Sequence, residues 1–413
     1  MSKPCYDPRR PLDGLTRRSF LIGSGVVGGA ALLAGGAAIT WTDVAKAAQA
    51  TPLPAGTPIL VLLTLYGGND GLNTLVPYAD PAYATARPGL AYTADQVLRL
   101  DDHFGLNPGL AGFAKLWADR KLAIVRGVGY PKPDRSHFRS MDIWQTASPD
   151  RPVTTGWIGR WLDRTGAHPL AAIHLGSVLP PLAVGERHTA AALGTKPGHD
   201  PKLSQALADL SAIDSADTRA MAEVRASYRA FGSVRADVVD HLDDESLPTG
   251  DEVTDDGSLA GQLQLVAKCI RIGAPTTAYS VTMGGFDTHA DELTTQSELL
   301  RKLDEAVTKF RAALAAHPRE RDVVVLAYSE FGRRVRANAS DGTDHGTAGN
   351  AFLIGDLANP GFHGDPPSLT DLADGDLKTT TDFRSVYSEV IRKVLRADPA
   401  GIVNGPAELG VLR

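Results

Sequence analysis

Ile59 to Leu65 (ILVLLTL) is apolar on consecutive positions and stops at Tyr66-Gly67-Gly68-Asn69-Asp70-Gly71. A run that is apolar on both faces and ends in glycines suits a central strand covered on both sides by helices. The form recurs: Leu122 to Val128 follows the helix-like Leu110 to Arg120, Thr276 to Met283 follows Gly261 to Ile272, and Val323 to Tyr328 follows the amphipathic Glu298 to Ala315. Ala351 to Ile354 is a fifth candidate strand, and Phe383 to Leu395 reads as a last helix with Asp382 at its start. Helix alternating with buried strand predicts an α/β fold: a central, mostly parallel sheet with helices on both faces. Such sheets hold ligands beyond the carboxyl ends of their strands. The polar residues just after the strands therefore have a reason to converge: Asp70, then Ser136 and His137, then Asp287 and His289, then Glu330.

Three stretches break the pattern. Between 189 and 261 it loosens into helix-like Thr218 to Phe231 and Val234 to Leu242 and the acidic Asp243 to Asp256, which reads as a helical insertion or cap rather than a second catalytic domain. Asp371 to Asp376 reads as an acidic surface loop. At the start, Thr16-Arg17-Arg18-Ser19-Phe20-Leu21 is a twin-arginine sequence leading into the uncharged Leu21 to Thr40, which holds six glycines. With the small-residue tail Ala45 to Ala50, residues 1–50 read as a cleaved twin-arginine signal peptide rather than a membrane anchor. The expected location is then periplasmic, cell-envelope or extracellular, with the twin-arginine translocase as a partner during export and no transmembrane segment after cleavage. Residues 51–413 remain as one large α/β domain.

Composition narrows this further. Of two cysteines, Cys5 goes with the signal and Cys269 stays alone in a run of helical period, so no intramolecular disulfide forms in the mature chain. Nothing in a net charge of −6 suggests nucleic-acid binding, which needs a basic face.

Five motifs carry candidate chemistry. In YGGNDGLNTLVP, Asp70 sits among glycines that let the backbone approach a ligand closely; the simpler reading is a tight turn. In PDRSHFRSMDIW, Ser136 precedes a helix starting near His137, placing its hydroxyl among free backbone amides at the positive end of the dipole; it is either a nucleophile there or simply an N-cap. Arg135, His137 and Arg139 add positive charge suited to phosphate or sulfate. MGGFDTHADE and GTDHGTAGN supply Asp287 with His289 and Asp344 with His345, the imidazole and carboxylate mixture that zinc, manganese or iron accept more readily than calcium does. In YSEFGRR, Glu330 is a candidate ligand and Arg333 or Arg334 a candidate oxyanion binder, unless Glu330 and Arg333 pair with each other.

These motifs, with the twin-arginine start, LAIVRGVGYPKPDRSHF, VLAYSEFGRRVRANASDGTDHGTAGNAFLIG and TTDFRSVYSEVI in that order, resemble the bacterial domain-of-unknown-function family 1501 across essentially the whole mature chain. That family is similar to the alkaline phosphatase and sulfatase superfamily, whose members hold one or two divalent metals at the carboxyl edge of a central sheet. The resemblance implies Asp70 as the first-strand metal carboxylate, Ser136 as the nucleophile, Asp287 and His289 as a metal pair and His345 as the late histidine completing the site. One departure stands out. Where many superfamily members have Ser-Asp-His-Gly, this chain has Glu330 and Phe331, so a second ion loses a ligand, and Asp344 is a partial replacement at most.

Two readings follow. One is an exported metal-dependent hydrolase of phosphate or sulfate esters acting on a small anionic ester, with Ser136 as nucleophile, Arg135 and Arg333 at the oxyanion, and Asp70, Asp287, His289, Glu330, Asp344 and His345 around one or two divalent ions, zinc or manganese. The other is a non-catalytic secreted binding or scaffold protein that keeps the fold.

Overall fold

A computed structural model describes residues 38–176, 178–194 and 257–413. The twin-arginine motif and most of the expected helical insertion, including Thr218 to Phe231 and Val234 to Leu242, lie outside them. Among the described residues no helix is long and apolar enough to cross a membrane.

The centre is a ten-stranded sheet in the order β1-β8-β7-β9-β2-β10-β11-β6-β12, with β13 also on β6. Here β1 is Ala38–Ile39, β2 Ile59–Leu65, β6 Leu122–Gly129, β7 Ala172–Leu175, β8 Ala191–Leu193, β9 Ala278–Met283, β10 Val323–Ser329, β11 Gly349–Ile354, β12 Gly361–His363 and β13 Thr381–Asp382. The short strands β3 to β5 (Leu75–Val76, Leu98–Arg99, Gly105–Leu106) form a separate small sheet.

Strand alternation divides the core into two layers. Ile59, Val61, Leu63 and Leu65 of β2 face one apolar cluster, together with the helices Ala111–Ala118, Leu259–Arg271 and Glu292–Leu314. Leu60 and Leu62 face the other, with His137–Thr146, Trp157–Thr165 and Phe383–Lys393. Both faces are dry, which is why the strand reads as a continuous apolar run. On the second face Trp144 stacks on Tyr328 and on Phe383, with ring centroids 4.7 and 4.4 Å apart.

Each of the five expected strands forms, within a few residues of its expected ends. The fifth differs in direction: β11 runs antiparallel to both β10 and β6. A parallel return needs a crossover, usually a helix, and residues 330–348 form loops and turns instead. Glu292–Leu314 starts earlier than expected, and Asp382 caps Phe383–Lys393 by accepting from the Arg384 amide at 2.9 Å.

Residues expected to form the end of the signal segment are folded onto the domain. Trp41–Ala50 is a helix with a capping box between Thr40 and Asp43, and Val44, Ala45 and Ala48 are buried. Small residues that suit a cleavage site are also good helix formers, and here they offer one apolar face. Asp376 also departs from the expected acidic surface loop: it is fully buried and pairs with Arg135 and Arg334, while Asp371, Ala373, Asp374 and Gly375 stay exposed.

Candidate metal centre

The loops after β2, β6, β9 and β10 meet at one edge of the sheet because three of these strands are hydrogen-bonded neighbours, in the order β9-β2-β10. Their approach is close. A Cβ on Gly67 would lie 2.5 Å from the Asp287 amide nitrogen, and one on Gly68 would enter the Phe331 ring; both glycines have positive φ. The glycines thus let protein loops, rather than a ligand, come together.

At that junction three imidazoles converge on one carboxylate oxygen. Asp287 Oδ1 lies 3.0 Å from His289 Nε2, 3.1 Å from His345 Nε2 and 3.4 Å from His137 Nε2. His289 Nε2 and His345 Nε2 are themselves 3.0 Å apart. The other ring nitrogens all face acceptors: His137 Nδ1 meets Glu330 Oε1 at 2.8 Å, His345 Nδ1 meets the Arg135 carbonyl at 2.8 Å and His289 Nδ1 meets Asp344 Oδ1 at 3.3 Å. Those acceptors place the protons on Nδ1, leaving three Nε2 lone pairs aimed at each other and at a carboxylate. Lone pairs so arranged repel unless a proton or a cation lies among them; the Arg333 guanidinium meets part of that need, 3.5 Å from His289 Nε2 and 2.6 Å from Asp287 Oδ1. His137 Nε2 is in fact a buried atom with no hydrogen-bond partner. Held imidazoles with free inward nitrogens are how metal-binding histidines are oriented, and His137, Asp287 and His345 have ligand atoms all within 4.8 Å of one another. The set stays open to solvent, with the Asp287 side chain 48 % exposed and that of His289 44 %.

The electrostatics favour an ionised carboxylate on Asp287 and a protonated imidazole on His137, so a metal at this point competes with a proton. Partial burial opposes charge on Asp287, but hydrogen bonds from Arg333 and His345 outweigh it and hold the carboxyl down at about 2. The hydrogen bond to Glu330 raises His137 above its ordinary range despite partial burial.

Several expected ligands have other neighbours. Glu330 and Asp344 contact imidazoles from behind; Glu330 also accepts from the Gly67 amide at 2.9 Å and from Ser329 Oγ at 2.9 Å. Glu330 and Arg333 do not pair with each other. Arg333 is 1 % exposed and places its donors on the carbonyls of Gly67, Gly68 (2.7 Å), Phe286 (3.0 Å) and Thr343 (2.9 Å) and on Asp287 (2.6 Å). All its directions are used in tying the loops together, so it has none left for an oxyanion. Arg135 pairs with Asp376 through Nη2, while its Nε is buried without a hydrogen-bond partner.

Asp70 departs most from expectation. Its carboxylate is fully buried in a bidentate pair with Arg87, also fully buried, and caps the turn Gly71–Thr74 by accepting from Leu72 at 3.2 Å. Arg87 also donates to the Val335 and Arg334 carbonyls at 3.0 and 2.8 Å. A guanidinium therefore supplies the positive charge that Asp70 was expected to find in a metal.

Glu292 completes this group. Burial, and next the charge of Asp70, push its carboxyl up to about 9, and its Oε1 is buried with no donor facing it. A proton shared with Asp70 satisfies both groups. Because the folded state keeps a proton that the unfolded chain releases near the ordinary 4.5, this group's stabilisation is complete below 4.5 and is lost as pH rises toward about 9. Denaturant unfolding across that window should show wild-type stability falling relative to a Glu292→Gln variant, which carries no titrating proton there.

Ser136 occupies the N-cap position of His137–Thr146, yet its hydroxyl makes no capping hydrogen bond, and its amide donates to Asp134 Oδ1 at 2.8 Å. The residue is exposed, between the two neighbours that reach the cluster: Arg135 through its carbonyl and His137 through its ring. His137 was expected at this edge by its strand-end position and as positive charge, but not as a ligand. Its signal was its position, directly after the helix start at a strand-end loop. Phe331, the departure from the superfamily motif, packs against the rings of His137 and His345 at 4.9 and 5.0 Å and walls the cluster on one side.

No curated protein matches the sequence. Among solved structures, the chain is similar to the lipoteichoic acid synthase LtaP from Listeria monocytogenes at 8 % identity, TM-score 0.35, covering 87 % of this chain and 75 % of that one. It is similar to a protein in the alkaline phosphatase superfamily from Vibrio parahaemolyticus at 12 % identity, TM-score 0.37, covering 79 % and 70 %. A third likeness, at 10 % identity and TM-score 0.34, covering 85 % and 70 %, is to the PsFucS1 sulfatase from Pseudoalteromonas sp.. These likenesses are low in both identity and score, and the cluster's own geometry carries the chemistry. At the level of sequence the match is direct: the family of proteins of unknown function DUF1501 matches residues 58–390, and the chain belongs to it.

Proposed function

We propose that the chain is an exported, metal-dependent hydrolase of phosphate or sulfate esters, with one divalent ion held by His137, His289, His345 and Asp287. The observation that carries this reading is the convergence of three imidazole Nε2 atoms on Asp287 Oδ1, each ring held from behind by an acceptor on its Nδ1. Three nitrogens and a carboxylate suit zinc or manganese better than calcium, and the exposed side of the cluster leaves room for a substrate oxygen. With Asp70 paired to Arg87, the residues favour a single ion. Export rests on the twin-arginine sequence at Arg17-Arg18, a route that carries folded, cofactor-loaded proteins.

A bound divalent ion polarises an ester oxygen and lowers the pKa of a coordinated hydroxyl. The chain's own residues do the rest. Ser136 presents a hydroxyl without a capping partner at a helix start, where the first amides and the dipole favour an anionic ester. Its attack on phosphorus or sulfur displaces the alcohol, and water then releases the anion and restores the serine. Glu330, Asp344 and the Arg135 carbonyl keep the imidazoles in one tautomer, and Arg333 keeps Asp287 ionised and in place.

Ser136→Ala should abolish hydrolysis of p-nitrophenyl phosphate or sulfate with metal content unchanged. Full activity in that variant would remove Ser136 from the reaction, and no turnover of either ester by metal-loaded wild type would favour a binding role. Glu330→Gln removes no proposed ligand but loosens His137, so metal affinity, read by competition with a chromogenic chelator, should fall about 10- to 100-fold.

A further inference from the structure

A cavity of about 600 Å³ lies apart from the imidazole cluster, and none of His137, Asp287, His289 or His345 lines it. Its walls include the residues that follow Asp70 in the chain (Gly71, Leu72, Leu75) and those that follow His345 (Ala348, Gly349, Asn350). The volume falls within the range of small-molecule sites. Leu72, Leu75 and Leu377 are buried and give it an apolar body, while the exposed Asp80, Asp101 and His103 stand among its lining residues at the surface.

One cation lines it. Arg126 projects from β6 with its guanidinium near two aromatic rings, 5.5 Å from the centroid of Phe104 and 4.8 Å from that of Phe362. Its Nε and Nη2 donate to the Gly364 carbonyl at 3.1 and 2.8 Å. Among the described residues Nη1 makes no hydrogen bond and the guanidinium forms no ion pair, although Asp101 and Asp365 act on it at longer range. A guanidinium held by rings and a carbonyl, with donors to spare against an apolar chamber, is poised for an anionic head carrying an apolar tail. The exposed carboxylates Asp80 and Asp101 among the lining disfavour a multiply charged anion more than a singly charged one.

We infer that this cavity binds an amphipathic organic monocarboxylate, with the carboxylate on Arg126 and the aliphatic body against Leu72, Leu75 and Leu377. The inference stands independently of any metal at the histidine cluster.

Calorimetric titration of the full chain with octanoate tests it. Saturable one-to-one binding is expected for octanoate, with 1-octanol weaker and inorganic phosphate silent. Arg126→Gln should weaken octanoate about tenfold or more, as loss of a charge-assisted hydrogen bond requires, whereas Arg126→Lys retains most of the affinity. Because Arg126 also anchors Gly364, a second variant leaves it untouched: Ala79→Trp, at an exposed lining position, should obstruct entry and weaken binding while the fold persists. His345→Ala should leave octanoate binding unchanged. Absence of octanoate binding, equal binding of octanol, or affinity that survives Ala79→Trp would overturn the assignment.

Discussion

Protein carrying Asp287→Ala or His345→Ala, purified without chelator, is expected to contain no divalent metal, where wild type contains close to one ion per chain. Asp287 is the point on which three Nε2 atoms converge, so its removal takes the carboxylate oxygen that, among the described residues, faces all three. His345 contributes the nitrogen nearest to His289 Nε2, at 3.0 Å. Elemental analysis measures the loss. Both side chains are at least partly exposed and lie outside the two large apolar clusters, so circular dichroism should show the fold intact. The affinity should also depend on pH in one direction. Metal binding needs His137 neutral, and Glu330 raises its pKa above the ordinary 6.5, so affinity should weaken as pH falls through that raised value.

Arg87→Met should cost stability rather than metal, and the cost should be among the largest for any single substitution. Arg87 and Asp70 are fully buried, and Arg87 also satisfies the carbonyls of Val335 and Arg334. Removing the guanidinium strands the Asp70 carboxylate beside Glu292 in a dry site, for which about 3–5 kcal/mol is expected. Denaturant unfolding checks this. The double variant Arg87→Met/Asp70→Asn should recover part of the loss, because it no longer buries an uncompensated charge. Were Asp70 instead a metal ligand, Arg87→Met would leave stability nearly unchanged and Asp70→Asn alone would release the ion.

The frame of the fold was readable because buried strands of a parallel sheet leave a direct trace: Ile59 to Leu65 is apolar at nearly every position since both faces are covered. The direction of β11 was not readable, because periodicity carries no sense of direction and only the absence of a helix in 330–348 could have suggested it. For the site, strand-end position brought forward His137, Asp287 and His289, and the GTDHGTAGN motif His345; these do converge. The same logic placed Asp70 with them. What it could not supply was Arg87, which lies 17 residues after Asp70 in no strand-end motif and meets it only in the folded chain. Glu330, Asp344 and Arg333 were found by motif and placed near the cluster, but residue type alone does not separate a ligand from the group that holds a ligand; only the direction of each ring nitrogen does.

The most direct measurement is anomalous scattering from crystals of metal-bearing wild-type protein, collected at the absorption edge of the ion that elemental analysis identifies. The account predicts a single strong peak among Nε2 of His137, His289 and His345 and the carboxylate of Asp287. A peak between Asp70 and Glu292 instead, or no peak with the three imidazoles sharing protons with Asp287, would contradict it.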